Sequence, residues 1–134
     1  MWGSAADDRL GYFPVTRGSQ SLGVAAVRLI TGEIAWRASP PEGGAAPVTV
    51  IPGVVFFGAS TGTFYAYSTT DGKALWQFDT AREFDTVNGV PAKGGTINAA
   101  GPVVAGGMVF MASGYSELGT GVRGNVLLAF GVEK

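Results

Sequence analysis

Apolar residues along this chain come in short runs that alternate with polar positions or continue unbroken, and they do not return at the 3.6-residue spacing of an amphipathic helix. The pattern predicts strands throughout. Leu10 to Thr16, Gly23 to Leu29 and Glu33 to Ala38 are β-prone stretches punctuated by Gly18, Gly23 and Thr31-Gly32, and they read as the later strands of one sheet. Pro47 to Ile51, Val54 to Ala59, Thr63 to Ser68 and Lys73 to Phe78 follow, with turns at Pro52-Gly53, Thr61-Gly62 and Asp71-Gly72, and form a complete four-stranded set. A third set begins with Gly101 to Ala105, continues with Met108 to Ala112 and ends with Val126 to Val132, leaving it without a fourth strand. The run from Gly107 to Ala112 repeats that from Gly53 to Gly58 at an offset of 54.

Superimposed on these strands is a stricter repeat. Ala26-x5-Gly32-Glu33-x2-Trp36 reappears as Ala66-x5-Gly72-Lys73-x2-Trp76, every anchor displaced by 40 residues. A period of about 40 built from short strands and glycine turns is that of β-propeller blades, in which one unit cannot bury its apolar face alone. The expected architecture is all-β: about three four-stranded antiparallel blades, the last incomplete, over approximately 1–41, 42–84 and 85–134. Packing accounts for the repeat residues. The alanine leaves room for an indole, the glycine turns a hairpin, and the tryptophan buries a large flat surface between blades. A closed propeller needs at least about four blades, so the 134 residues read as a segment of a larger ring with unpaired edges.

Composition narrows the chemistry. With 46% hydrophobic and only 14% charged residues the chain is expected to fold, and a formal net charge of −1 with scattered Lys and Arg gives no footprint for nucleic acid. Cysteine and histidine are both absent. That removes disulfides, thiolate nucleophiles, imidazole bases, the common catalytic triads and nearly all zinc sites. The first residues, from Met1 to Arg9, show no signal peptide, and the longest apolar run, Val48 to Phe57, is interrupted by Pro52 and Gly53 and too short to span a bilayer.

If the strands of a blade run up and down from the axis outward, the links between blades and those between second and third strands emerge on one face. The long connections Ala38 to Ala46, Asp79 to Ala100 and Gly114 to Gly124 all belong to that face, where binding residues usually sit. The 79–100 link carries Asp79, Arg82, Glu83, Asp85, Asn88, Lys93 and Asn98, a set able to hold a polar ligand. The same residues would also suit a solvated loop, with Asn88-Gly89 as a type I′ turn and Gly94-Gly95 as another reversal. Tyr115 and Asn125 flank the other long loop and offer a stacking face and an amide, or rim packing and a turn at the start of a strand. Gly119-x-Gly121-x2-Gly124 matches a dinucleotide fingerprint, but a strand follows it where that motif requires a helix, so no nucleotide site is expected.

The A-x5-G-[EK]-x2-W repeat, together with Val54 to Gly62, Thr86-Val-Asn-Gly89, Gly94-Gly95, Gly101 to Met108, Ser113-Gly-Tyr115 and Gly124 to Phe130, resembles pyrroloquinoline-quinone (PQQ) enzyme repeats. More narrowly, it is similar to the C-terminal blades of polyvinyl-alcohol dehydrogenase-like quinoproteins. The resemblance implies an eight-bladed periplasmic propeller that oxidises alcohols with PQQ and a calcium ion and passes electrons to a cytochrome. Under it, Asn88, Lys93 and Asn98 become candidate contacts to the cofactor or the ion, and Asp85 a candidate catalytic carboxylate. No metal ligand set can be assigned, and the segment alone is expected to be inactive. Non-enzymatic outer-membrane assembly propellers share the blade repeat and supply the alternative: a scaffold with no cofactor. The expected partners are the remaining blades, or further copies through the open edges. Two features depart from the resemblance. Arg28 and Ser68 stand where an acidic residue usually follows the repeat alanine, and the 38–46 link lacks the cysteines of related sequences.

Overall fold

A computed structural model describes the chain apart from residues 1–2, 18–19, 41–43, 45, 99, 116–120 and 134, with residues 20 and 21 described by their backbone only. Three antiparallel sheets follow one another along the sequence. The first contains β1 (Ala5–Ala6), β2 (Leu10–Arg17), β3 (Gln20–Arg28) and β4 (Ile34–Ala38), hydrogen-bonded in that order. The second contains β5 (Thr49–Ile51), β6 (Val54–Gly58), β7 (Thr63–Ser68) and β8 (Ala74–Asp79), again in chain order. A small hairpin of β9 (Glu83–Phe84) and β10 (Ala92–Lys93) precedes the third sheet, β11 (Val103–Ala105), β12 (Met108–Ser113) and β13 (Val126–Gly131).

Each sheet is an up-and-down meander, so the expected all-β blades are observed, and the third has three strands among the described residues. Two elements are additions to the reading of the sequence. β1 gives the first sheet an inner strand, Ala5 opposite Tyr12, in a segment of two residues too short to show periodicity. The β9–β10 hairpin structures a link that was expected to be loop. Its tip also corrects a turn type. The Gly89 amide bonds the Thr86 carbonyl and Gly89 has a φ of 73°, but Asn88 is not left-handed, as no described non-glycine residue is, so this is no type I′ turn.

The 40-residue repeat is a repeat of geometry as well as sequence. Ala26 faces Trp36 and Ala66 faces Trp76 in matching β3–β4 and β7–β8 registers, each with an irregularity after the alanine. The hairpin ends close by the same bonds: Arg28 N to Glu33 O and Gly32 N to Arg28 O in one, Ser68 N to Lys73 O and Gly72 N to Ser68 O in the other.

The second sheet is covered on both sides. Val55, Phe57, Tyr65 and Tyr67 pack with Tyr12, Val24, Ala26 and Trp36 of the first sheet, while Phe56, Phe64 and Ala66 pack with Met111 of the third. This is why β6 reads as an unbroken apolar run instead of an alternating one. At the junction of the first two sheets the Trp36 indole donates Nε1–H to the Thr69 carbonyl at 2.9 Å and lies over Gly72, where a Cβ would come within 2.5 Å of Cε3. Trp76 makes edge contacts with Phe64 and Phe130 but stays 39% exposed, against 9% for Trp36, because the third sheet has no described strand outside β13 to complete its seat.

Candidate functional site: the β9–β10 cleft

The link from β8 to β11 is fixed to both neighbouring sheets by buried polar groups. Ser113 Oγ, at the end of β12, accepts the Gly95 amide at 2.9 Å, lies 3.0 Å from the Gly95 carbonyl and 2.6 Å from Thr80 Oγ1. Thr80 Oγ1 in turn reaches the Gly62 carbonyl of the β6–β7 turn at 2.5 Å. Both side chains are buried, at 0% and 1% exposure, so leaving either hydroxyl unpaired would carry the full desolvation cost. Thr96 extends the seam: its amide donates to the Val122 carbonyl, and its Oγ1 accepts the Val122 amide at 2.8 Å. Gly94 is required by proximity, since a Cβ there would fall on the Thr80 carbonyl.

This anchoring sets the β9–β10 hairpin in place. Asn125, just before β13, accepts the Lys93 amide on Oδ1 at 3.0 Å and donates its own amide to the Lys93 carbonyl at 2.7 Å. Gly94 N donates to Arg82 O. The Arg82 guanidinium lies 4.6 Å from the Phe78 ring centre and 5.1 Å from that of Phe84, a stack that ties the end of β8 to β9. Between the hairpin and Asn125 opens a cleft of about 430 Å3 lined by Glu83, Phe84, Asp85, Pro91, Ala92, Lys93 and Asn125. It offers two carboxylates, an exposed ammonium and an amide against an aromatic and two apolar walls.

The candidates named from sequence divide in this structure. Asp85 and Lys93 line the cleft together with Asn125. Asn88 lies at the hairpin tip, where its Oδ1 takes up the Thr86 hydroxyl and the Val90 amide, so that oxygen serves its own turn. Asn98 lies beyond the anchored segment, is not among the residues lining this cleft, and keeps a buried Oδ1 without a hydrogen-bond partner among the described residues. Tyr115 is 63% exposed. Part of the glycine motif at 119–124 falls outside the described residues, and its described end leads into β13. Glu83 was seen in the sequence only as one carboxylate of a loop. Nothing short of the β9–β10 pairing shows that it shares a wall with Lys93.

Among the described residues no group of three or more Asp, Glu, His or Cys side chains is placed to hold a metal ion. In the cleft lining Lys93 supplies a cation, Glu83 and Asp85 carboxylates and Asn125 an amide, and Phe84 and Pro91 present apolar surface, a mixture that suits a polar ligand with a flat body.

Three consecutive antiparallel meanders that bury their faces against one another, with linking segments gathered at one end, define a segment of a β-propeller. Residues 20–130 match the PQQ_2 family, described as outer membrane protein assembly factor BamB, and the chain belongs to this PQQ-repeat family. It is 39% identical to a polyvinylalcohol dehydrogenase of Pseudomonas sp and 36% identical to one of Sphingopyxis sp. (strain 113P3). Each alignment takes in 98% of this chain and 24% of the relative, so the chain spans about a quarter of these proteins. Among solved structures, the quinohemoprotein alcohol dehydrogenase from Comamonas testosteroni superposes with a TM-score of 0.62 at 24% identity, over 82% of this chain and 16% of that one. At that identity the match speaks to the fold. No helix among the described residues is long and apolar enough to cross a membrane.

Proposed function

We propose that this chain forms the C-terminal blades of a periplasmic, PQQ-dependent alcohol dehydrogenase, and that the β9–β10 cleft is its contribution to the cofactor-binding face. The observation that carries the reading is the 39% identity to a polyvinylalcohol dehydrogenase along 98% of the chain. When bound, PQQ supplies the two-electron acceptor for an alcohol carbon, with calcium polarising the quinone. The tasks left to this chain are binding, orientation and the handling of one proton. Lys93 holds an anionic or carbonyl oxygen of the cofactor, and Asn125 keeps the Lys93 backbone in place through its two bonds while lining the cleft itself. Asp85 stands in the same cleft as the carboxylate for the hydroxyl proton of the alcohol. Calcium ligands are supplied mainly by other blades, as are the contacts that complete the pocket. A cytochrome completes the proposed route for electrons.

A second reading has a specific observation in its favour, the description of the matching family as an outer membrane assembly factor. On that reading the blades are a scaffold and no cofactor binds. Titration of the complete protein with PQQ and calcium, followed by absorbance and calorimetry, separates the two. A spectral change on binding that weakens in Lys93→Met at unchanged melting temperature is the expected result. No spectral change in a protein that binds an assembly partner with full affinity would favour the scaffold and overturn the dehydrogenase.

A further inference from the structure

The Asn88-Gly89 pair at the tip of the β9–β10 hairpin has no task in the proposed reaction, and its chemistry is that of a reactive site. A glycine after an asparagine leaves its main-chain nitrogen unshielded, because no Cβ stands beside the path to the asparagine amide carbon. Of the three asparagines only Asn88 precedes a glycine; Ala99 follows Asn98 and Val126 follows Asn125. The fold leaves this pair open. Asn88 and Gly89 are both exposed, and a Cβ on Gly89 would meet nothing within 4 Å. The Oδ1 of Asn98 is buried, and that of Asn125 is committed to the Lys93 amide.

Hydrogen bonds within the turn decide how far it protects Asn88. Gly89 N donates to Thr86 O at 3.0 Å and Val90 N to Asn88 Oδ1 at 3.2 Å, while the Thr86 hydroxyl shares its one proton between Asn88 Oδ1 and Val90 O, each 2.5 Å away. Only the first of these must break for Gly89 N to turn on Asn88 Cγ. The donors on Oδ1 favour the attack, since negative charge grows on that oxygen as the nitrogen adds. Losing one exposed hydrogen bond slows such a step by only about 2- to 10-fold.

We infer that Asn88 is a site of spontaneous deamidation, which converts the hairpin tip from amide to acid as the protein ages. The Gly89 nitrogen bonds to Asn88 Cγ and gives up its proton, the side-chain NH2 leaves with that proton as ammonia, and a succinimide ring closes. Water then adds its hydroxyl to one of the two imide carbonyls and its remaining hydrogen to the nitrogen, breaking that C–N bond to give aspartate or isoaspartate. Isoaspartate routes the main chain through Cβ, so the bonds of Gly89 and Val90 across the turn lose their spacing. Pro91 of the cleft wall follows directly. β9 and β10 pair only through Phe84 with Ala92 and Glu83 with Lys93, which leaves little else to keep the hairpin closed. The inference goes beyond the proposed function and holds whatever the cleft binds.

The test incubates the complete protein at mildly alkaline pH and follows its tryptic peptides by mass spectrometry against a sample taken at time zero. Cleavage after Arg82 and Lys93 isolates residues 83–93, in which Asn88 is the one side-chain amide. This peptide should gain the mass of an amide-to-acid exchange and split into aspartate and isoaspartate forms, at a rate within about tenfold of the free synthetic peptide. The peptides carrying Asn98 and Asn125 should stay unchanged. Hydrogen exchange over 83–93 should quicken in step with the isoaspartate fraction and hold constant in Asn88→Gln, whose longer side chain cannot close the same ring. A segment that keeps its mass in the folded protein while the free peptide converts overturns the proposal. Equal quickening of exchange in Asn88→Gln overturns it too, since the loosening would then owe nothing to Asn88. Neither readout involves PQQ, so failure of the cofactor reading leaves this result standing.

Discussion

Replacing Gly72 by alanine tests whether the repeat tryptophan locks one sheet to the next. The new methyl would come within 2.5 Å of Trp36 Cε3 and 2.9 Å of Cδ2, and the φ of 72° is strained for any residue with a Cβ. The strain is worth about 1–2 kcal/mol and the overpacking about 1–3 kcal/mol. Trp36→Ala alone empties a site that is 9% exposed and removes the bond to the Thr69 carbonyl, at a cost of about 3–5 kcal/mol. In the Trp36→Ala background Gly72→Ala no longer meets an indole, so only its strain remains. A double-mutant cycle by urea denaturation should therefore show the pair to be less damaging than the sum of the singles by about 1–3 kcal/mol. Gly53→Ala is the control for strain: its φ is 85° and its Cβ would meet nothing within 4 Å. Additivity of Trp36→Ala and Gly72→Ala within about 0.5 kcal/mol would refute the argument. A coupling as large between Trp36 and Gly53 would refute it too.

Three further outcomes follow from other parts of the structure. The Tyr12 hydroxyl, and after it the amides of Arg9 and Leu10, hold the Asp7 carboxyl below its ordinary pKa of 3.8. Its stabilisation is present above that value and lost as pH falls through the lowered one, so the Tm difference between wild type and Asp7→Asn should narrow on acidification below about pH 4 and stay constant from there to neutrality. Ser113→Ala removes the hydroxyl shared by Gly95 and Thr80 and should cost about 1–3 kcal/mol, with hydrogen exchange at Gly95 accelerated more than at Thr63. Asn125→Ala frees the Lys93 amide without touching the buried seam, so it should weaken PQQ binding in the complete protein while lowering stability by only about 1 kcal/mol in thermal melts.

The strand plan was legible because it rests on local chemistry. Glycine turns mark the β3–β4 and β7–β8 hairpins, and the Ala–Trp spacing that recurs in sequence becomes a cross-strand pair in both sheets. β7 was bounded correctly because an aromatic-rich run lies between Gly62 and a polar turn. The candidate site was less legible for a physical reason. β9 and β10 are two residues each, so no periodicity reveals them, and they are held by Asn125, 32 residues further on from Lys93, and by Arg82 lying against the Phe78 and Phe84 rings. Asn88 and Asn98 looked equivalent to Lys93 as polar residues of one link. Only the fold shows that Asn88 bonds within its own turn and that Asn98 lies outside the cleft.

The way the cleft is held bears on what it can do. The backbone beside it is anchored by hydroxyls that join the β6–β7 turn, the interblade link and the end of β12, and by Asn125 before β13, so separate segments converge on Lys93 and its neighbours. A loop serving only as a connection would be free to be solvated, and burying Thr80 and Ser113 beneath it would then incur a desolvation cost for no structural return. Here Ser113 Oγ meets the Gly95 amide and carbonyl, Thr80 Oγ1 meets the Gly62 carbonyl, and the two hydroxyls meet each other, which fixes the link relative to both sheets. The charged side chains above that seam form no ion pair with one another among the described residues, since the Lys73–Asp71 contact lies in a hairpin of the second sheet. Lys93, Asp85 and Glu83 are thus displayed on a stiff backbone with their charges uncommitted. That arrangement suits a site built to receive a ligand, because its own residues need not reorganise when the ligand arrives.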